Sequence, residues 1–211
     1  MSKWAGKFVI GLTGNIGTGK SVVRRMLEHL GAYGIDADTL GHRAIARGAP
    51  GYAPVVATFG RFVLTPEGEI DRSKLARVVF SDPEALAQLE RIVHPLVEHA
   101  VDLMVQRAPQ KVIVLEAIKL LETDLRKTCD SIWVTYAPPE IQMARLIQIR
   151  KHTENEARQR IMAQPSQERK MAAAQVVIRN ISTFEDTWRQ VAIAWQKYVP
   201  AAQTAAPARP P

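Results

Sequence analysis

The 211-residue chain has one cysteine, Cys129, which excludes a disulfide framework and a cysteine metal cage. Aromatic residues make up only 6%, and none is interleaved with basic residues to give the stacking platforms of a single-strand nucleic-acid binder. Long hydrophobic runs are missing: no apolar stretch approaches the ~20 residues of a membrane-crossing helix, so no membrane partner is expected. Met1-Ser2-Lys3-Trp4-Ala5-Gly6-Lys7 passes into an apolar segment without a signal-peptide core, and a cytoplasmic protein is expected. Dense basic tracts are lacking beyond Arg24-Arg25 and Arg150-Lys151-His152, although 28 Lys and Arg face 21 Asp and Glu for a net charge of +7. A spread positive excess fits phosphorylated small molecules better than nucleic acid. There is no internal repeat, and a monomer or weak homo-oligomer is expected.

The composition, 46% hydrophobic and 23% charged, is that of a globular protein, and the length fits one domain with room for a small inserted subdomain. The organising stretch is Gly14-Asn15-Ile16-Gly17-Thr18-Gly19-Lys20-Ser21. It follows the apolar run Phe8–Thr13 and precedes the amphipathic run from Val22 to Leu30, which is the strand–loop–helix setting of a P-loop. Glycines let backbone amides crowd a phosphate chain where a Cβ would block the approach, and the positive end of the following helix favours an anion. Lys20 supplies a mobile charge for the outer phosphates, and the Ser21 hydroxyl can ligate Mg2+. Such a pattern falls by chance in roughly one chain of this length in a hundred, so a nucleoside triphosphate is the expected ligand.

Around this loop, apolar runs alternate with amphipathic stretches, which predicts an α/β protein with a mostly parallel five-stranded sheet. The predicted strands are Phe8–Thr13, Ala32–Ile35, Val112–Glu116, Ile132–Tyr136 and Val176–Ile178, short and rich in Val and Ile as strands buried on both faces should be. About seventy residues separate the second and third, too many for one crossover. They predict a helical insert with helices over Thr39–Arg47 and Ala53–Phe59, one capped by Asp71 or Ser73 and running through Phe80, and a long one starting at Ser81 with Glu84 three residues on. Pro95 lies inside the last, which predicts a kink near His94. Ile149 to Met171 reads as a polar helical region broken at Pro165, with so little apolar content that loose packing and motion are expected. A final helix, Phe184 to Tyr198, places Trp188, Val191 and Trp195 toward the sheet. The single domain thus divides into a core (about 7–36, 110–148 and 172–199), a helical substrate-binding insert (about 37–109), a lid (about 149–171) and a disordered tail (about 200–211).

Phosphoryl transfer also needs an activated acceptor and cations over the transferring group. Asp36 and Asp38 follow the second strand, where loops at the carboxyl ends of parallel strands share a crevice. One could take the proton of an attacking hydroxyl; equally, Asp36 could cap the next helix with Asp38 in its first turn. Asp38-Thr39-Leu40-Gly41 fits the Asp-x-x-Gly element of GTPases, but it comes too soon after the P-loop and no Asn-Lys-x-Asp follows. Glu116 ends an apolar strand and reads equally as a magnesium-assisting acid or as a capping or solvent-exposed residue. Arg145 and Arg150 are candidate cations.

These residues resemble the dephospho-coenzyme A kinase family. The resemblance is carried by Gly11–Ser21, Ile35-Asp36-Ala37-Asp38 with His42, Phe59-Gly60, and Gly68–Arg72 with Leu75 and Phe80. It continues through Leu89–Pro95, Ala137–Gln142 with Arg145, Arg160-Ile161 with Gln164, and Val177-Ile178 with Asn180. It covers about residues 8 to 198. The resemblance implies a P-loop kinase in which ATP, with Mg2+, phosphorylates the ribose 3′-hydroxyl of dephospho-coenzyme A. It also implies Asp38 as base, Lys20 as phosphate cation, Ser21 as metal contact and Arg145 as a lid cation on ATP. Gly14 to Val22 and Asn180 would meet the nucleotide, with Asn180 near the adenine. Asp36, His42, Arg72, His94 and Pro95 would lie near the acceptor.

The chain departs from the family pattern at four places. Asn15 stands where Gly is usual, a substitution that a left-handed loop position would tolerate. Glu116-Ala117-Ile118-Lys119-Leu120-Leu121-Glu122 replaces Asp-Val-Pro-Leu-Leu-Phe-Glu. Ile149 takes the place of a lid arginine, with Arg150 next to it. Gln175 replaces Asp and, with Lys119, marks a possible change of acceptor.

Overall fold

A computed structural model describes residues 3–201. The chain forms two compact units, one built from the residues up to Asp36 together with those from Arg107 onward, the other from Ala37–Gln106. The expected tail falls almost wholly outside the described residues.

The first unit is a five-stranded, all-parallel sheet of β1 (Phe8–Thr13), β2 (Tyr33–Asp36), β3 (Val112–Glu116), β4 (Ser131–Tyr136) and β5 (Val176–Arg179), in the order β2-β3-β1-β4-β5. The central strands are β1, β3 and β4, and nearly every residue in them is buried, which explains their continuous Val/Ile runs. Helices α1 (Lys20–His29) and α9 (Phe184–Tyr198) cover one face. Val23, Met26 and Leu27 meet Val191, Ala194 and Trp195 over Ile10, Leu12, Val114 and Trp133. Fully burying side chains of this size contributes about 1.5–3 kcal/mol each. Thr183 caps α9 by accepting from the Asp186 amide.

Strand β2 starts one residue later than predicted because the Ala32 amide is still bonded to Leu27 O at the end of α1 (3.0 Å). Helix α6 (Pro139–Gln148) follows β4, and α7 (Glu154–Met162) and α8 (Gln167–Ala172) precede β5. Pro165 does break the polar region, between α7 and α8. Thr153 and Glu156 form a capping box at the start of α7.

The second unit is helical: α2 (Ala37–Ala44), α3 (Tyr52–Phe59), α4 (Arg72–Ser81) and α5 (Pro83–Arg107). Ile45, Val55, Phe59, Val63, Leu75, Val79 and Ala85 form its own small core. Helix α2 begins at Ala37 rather than Thr39 and ends at Ala44 rather than Arg47, where the backbone turns before Gly48 at φ 82. Asp71 caps α4 through the amides of Ser73 and Lys74, and its carboxyl sits below the usual range because of those bonds. The expected Ser81 cap of the long helix is not made. Ser81 belongs to α4 and donates to Val78 O (2.9 Å), while the Asp82 carboxylate accepts from the Glu84 amide (2.9 Å). The long helix is continuous through Pro95.

Candidate active site

The P-loop leaves the carboxyl end of β1 and enters α1 at Lys20. Gly14 and Gly19 both have positive φ, 149 and 93, and neither could carry a side chain. A Cβ on Gly14 would lie 2.3 Å from Thr135 Oγ1, and one on Gly19 would lie 2.0 Å from Asn180 Nδ2. Beneath the loop, the Thr18 hydroxyl donates to Asn15 O (2.7 Å) and sits 2.7 Å from the Thr135 hydroxyl. Arg145, on α6, donates to Gly17 O (3.0 Å) and Asn180 O (2.9 Å), and Asn180 Nδ2 donates to Thr18 O (3.0 Å). Burial of the Arg145 guanidinium lowers its pKa. Two loop carbonyls are thereby held by side chains. Among the described residues the amides of Gly17, Gly19 and Ser21 find no acceptor. A run of such amides at a helix N-terminus is a built anion site.

Lys20 is buried, with Nζ 3.4 Å from Asn15 O. Ser21 Oγ donates to Glu116 Oε1 (3.1 Å), and Arg24 Nε donates to Glu116 Oε2 (2.8 Å). Burial lowers the Arg24 pKa, but the hydrogen bond to Glu116 and the charges of Glu28 and Glu116 outweigh it, so the net direction is up. Glu116 is only 4% exposed, and Asp36 lies beside it in the β2–β3 register. Thus Glu116 is tied to the loop, and Asp36 ends the adjacent strand. Asp38, two residues further, is in the first turn of α2.

The other expected acceptor residues stand on the helical unit. His42 is exposed on α2, Arg72 exposed at the start of α4, and His94 half-buried beside an exposed Pro95 on α5. Arg150 is exposed after α6. Lys119 precedes a 3-10 turn and is exposed. The one thiol, Cys129, is free, and burial pushes it up to about 12, which disfavours the thiolate.

Three features of the site were not legible in the sequence. Thr135, under the loop, is a hydroxyl in an otherwise apolar strand end. Arg24 lies one helical turn after Lys20, a spacing that would have distinguished it from Arg25. The third is Asn15. It does not have positive φ, so left-handed tolerance is not why it is there. Its amide nitrogen donates to Pro165 O (2.9 Å) instead.

Among the described residues no cluster of His, Cys, Asp or Glu could hold a metal by itself. No described helix is long and apolar enough to cross a membrane. What the site can do is hold a polyphosphate on its amides and Lys20, with the Ser21 hydroxyl and the Glu116 carboxylate at one end of it.

Comparison with known proteins narrows the chemistry. The family described as dephospho-CoA kinase matches residues 8–186. A dephospho-CoA kinase of Streptomyces avermitilis is 42% identical over 191 residues, covering 90% of this chain and 93% of the relative. A crystal structure from Thermus thermophilus superposes with a TM-score of 0.81 at 29% identity, over 92% of this chain and 99% of that one. A dephospho-CoA kinase of Campylobacter jejuni shares the fold, with a TM-score of 0.56 at 24% identity, over 92% and 98%.

Proposed function

The chain belongs to the dephospho-coenzyme A kinase family, and from that premise we propose how its own residues divide the work. The reaction is ATP-dependent phosphorylation of the ribose 3′-hydroxyl of dephospho-coenzyme A, the final step of coenzyme A biosynthesis. The observation that carries the assignment of roles is the buried phosphate loop, with Lys20 and Ser21 at the start of α1 and Ser21 bonded to Glu116.

The ATP phosphates lie against the Gly14–Ser21 loop, on the unbonded amides of Gly17, Gly19 and Ser21, reaching Val22 at the first turn of α1. Lys20 neutralises charge that builds on the transferring group. Arg145 and Asn180 act from below by holding the loop carbonyls, and Asn180 borders the adenine. The acceptor hydroxyl gives its proton to Asp38 as its oxygen bonds the γ-phosphorus. The bond to the bridging oxygen breaks, and ADP leaves with that electron pair. Asp36, His42, Arg72, His94 and Pro95 border the acceptor. By the same reading, residues 37–109 are the acceptor-binding insert and 149–171 the lid, which carries the exposed Arg150 and Arg160 as cations for the phosphates.

The donor set fits Mg2+, a hard cation that takes one or two protein oxygens and completes its shell with water and phosphate. Ser21 would hold it directly, with Glu116 and Asp36 as carboxylates beside it. When bound, it would neutralise the β- and γ-phosphate oxygens. Glu116→Gln should raise the magnesium concentration needed for half-maximal turnover by about tenfold, the scale of losing a supporting acid; an unchanged requirement would remove Glu116 from this role. A chain with a single thiol forms no internal disulfide and does not depend on an oxidising compartment, and we place it in the cytoplasm with its nucleotide substrates. We read it as a monomer or weak homo-oligomer, which sedimentation at several concentrations would test.

The deciding assay is ATP consumption with dephospho-coenzyme A beside ordinary nucleosides and nucleotides. The expected result is turnover with dephospho-coenzyme A and release of coenzyme A. Nucleotide binding without turnover on that acceptor would sink the reading.

A further inference from the structure

The turn between α7 and α8 is tied to the phosphate loop by two hydrogen bonds that run between adjacent residues on each side. The Ile16 amide donates to Gln164 Oε1 (2.8 Å), and Asn15 Nδ2 donates to Pro165 O (2.9 Å). The Ile16 side chain meets Leu146 and Ala157 in a small apolar cluster flanked by Met143 and Ile161. Ile16 is therefore held to α7 by its side chain and to the turn by its backbone. Downstream, Gln167 Nε2 donates to Ala137 O (3.1 Å), and the buried Lys170 donates to Ile118 O (2.7 Å). The segment from 164 to 170 is thus fastened at the carboxyl ends of β1, β4 and β3.

Asn15 is only 5% exposed, and its side-chain oxygen has no hydrogen-bond partner among the described residues. A glycine would satisfy the backbone there without burying an unpaired oxygen, a burden on stability. What the side chain adds is the bond to Pro165.

We propose that Asn15 and Gln164 are positioning residues for the phosphoryl transfer: their paired bonds set where helix α7, with Arg158 and Arg160, stands relative to the phosphate loop. Both side chains act through the turn rather than on a substrate, whereas the backbone of Asn15 belongs to the phosphate loop. The inference rests on the reading of the loop as the ATP phosphate site, but the latch itself can be tested without turnover.

The first measurement is amide exchange by NMR on the free, full-length protein. Gln164→Ala should speed exchange of the Ile16 amide at least tenfold, whereas Gln164→Glu, which keeps an acceptor, should leave it protected. The second is steady-state kinetics. Asn15→Gly and Gln164→Ala should each lower kcat by about 5- to 20-fold with the KM for ATP within twofold, the signature of lost positioning rather than lost binding. The double variant should fall no further than the worse single one, because both bonds hold one element. Unchanged Ile16 exchange in Gln164→Ala overturns the latch, even in a protein that fails to phosphorylate dephospho-coenzyme A. Effects that multiply in the double variant, or a kcat within twofold of wild type in both singles, overturn the positioning role. Should Gln164→Ala fail to fold, Asn15→Gly alone decides through its kcat and KM.

Discussion

Most of the polar side chains assigned to ATP and most of the residues assigned to the acceptor occupy different physical settings, with the exposed Ser21 and the sheet-end Asp36 as exceptions. Asn15, Thr18, Lys20, Glu116 and Asn180 are buried in the sheet unit and joined by short bonds, among them Thr18 to Asn15 O (2.7 Å) and Asn180 to Thr18 O (3.0 Å). His42, Arg72 and Pro95 are exposed on the helical unit, and Asp38 and His94 are half-buried there. A triphosphate presents the same charges at the same spacing each time, so fixing its donors in advance saves reorganisation when charge develops. Side chains on exposed helix faces must be ordered when the acceptor arrives, which costs binding free energy. On the proposed assignment, the donor half would be built for rate and the acceptor half for recognition.

The largest effect should come from the buried half. Lys20→Met should lower kcat/KM by about 10³, the upper scale for removing one electrostatic donor from a transition state, with the circular dichroism spectrum unchanged. A loss below tenfold would mean that the loop amides carry the charge alone. Next comes Asp38→Asn, which should lower turnover by about 100-fold or more while ATP binding, read by calorimetry, stays within twofold. If ATP binding collapses with it, the two halves are not energetically separable, and the contrast between them fails.

The donor half was also the more legible half of the sequence, for a physical reason. A P-loop is contiguous, and the spacing from Gly14 to Ser21 fixes which atoms face the phosphate. Strands buried on both faces announce themselves as Val/Ile runs, so β1 and β3 were placed to the residue and the others to within one at each end. What could not be read is what tertiary packing brings in from elsewhere in the chain. Thr135 lies 117 positions from Thr18, and Pro165 lies 150 positions from Asn15. Nothing local to Asn15 announces its partner, so the only explanation open to the sequence was backbone conformation, and that was wrong. Ser81 and Asp82 were both acceptable caps by type, and where α4 ended decided between them. Apart from Asp36 and Asp38, which follow the second strand, the acceptor residues had only the family resemblance behind them, because exposed side chains on amphipathic helices look like any solvated face.

That exposure gives a smaller prediction. Arg72→Ala removes a side chain that the fold does not use, so stability should stay within about 0.5 kcal/mol while the KM for dephospho-coenzyme A rises about tenfold and that for ATP does not move. A rise in both would place Arg72 with the donor and blur the division. No change in either would free it from the site.

Gln175 should give the smallest effect and the sharpest test of the division. Its place in the sequence, where the family usually has Asp, made it a candidate for altered acceptor choice. In the structure it joins two strands instead. Its Oε1 accepts from the Ile132 amide (2.7 Å), and its own amide donates to Ile132 O (2.9 Å). It immediately precedes β5, opposite the start of β4, whereas the phosphate loop follows the carboxyl end of β1. The strands are parallel, so Gln175 sits at the far edge of the sheet from the chemistry. Gln175→Ala leaves the amide of Ile132, itself only 6% exposed, without its side-chain acceptor. That should cost about 1 kcal/mol and lower Tm by about 2–4 °C. The KM values for ATP and dephospho-coenzyme A, and the ranking of a panel of acceptors, should not change. A shifted ranking would show that the sheet's far edge reaches the acceptor site, and specificity could then no longer be assigned to the exposed helical residues alone.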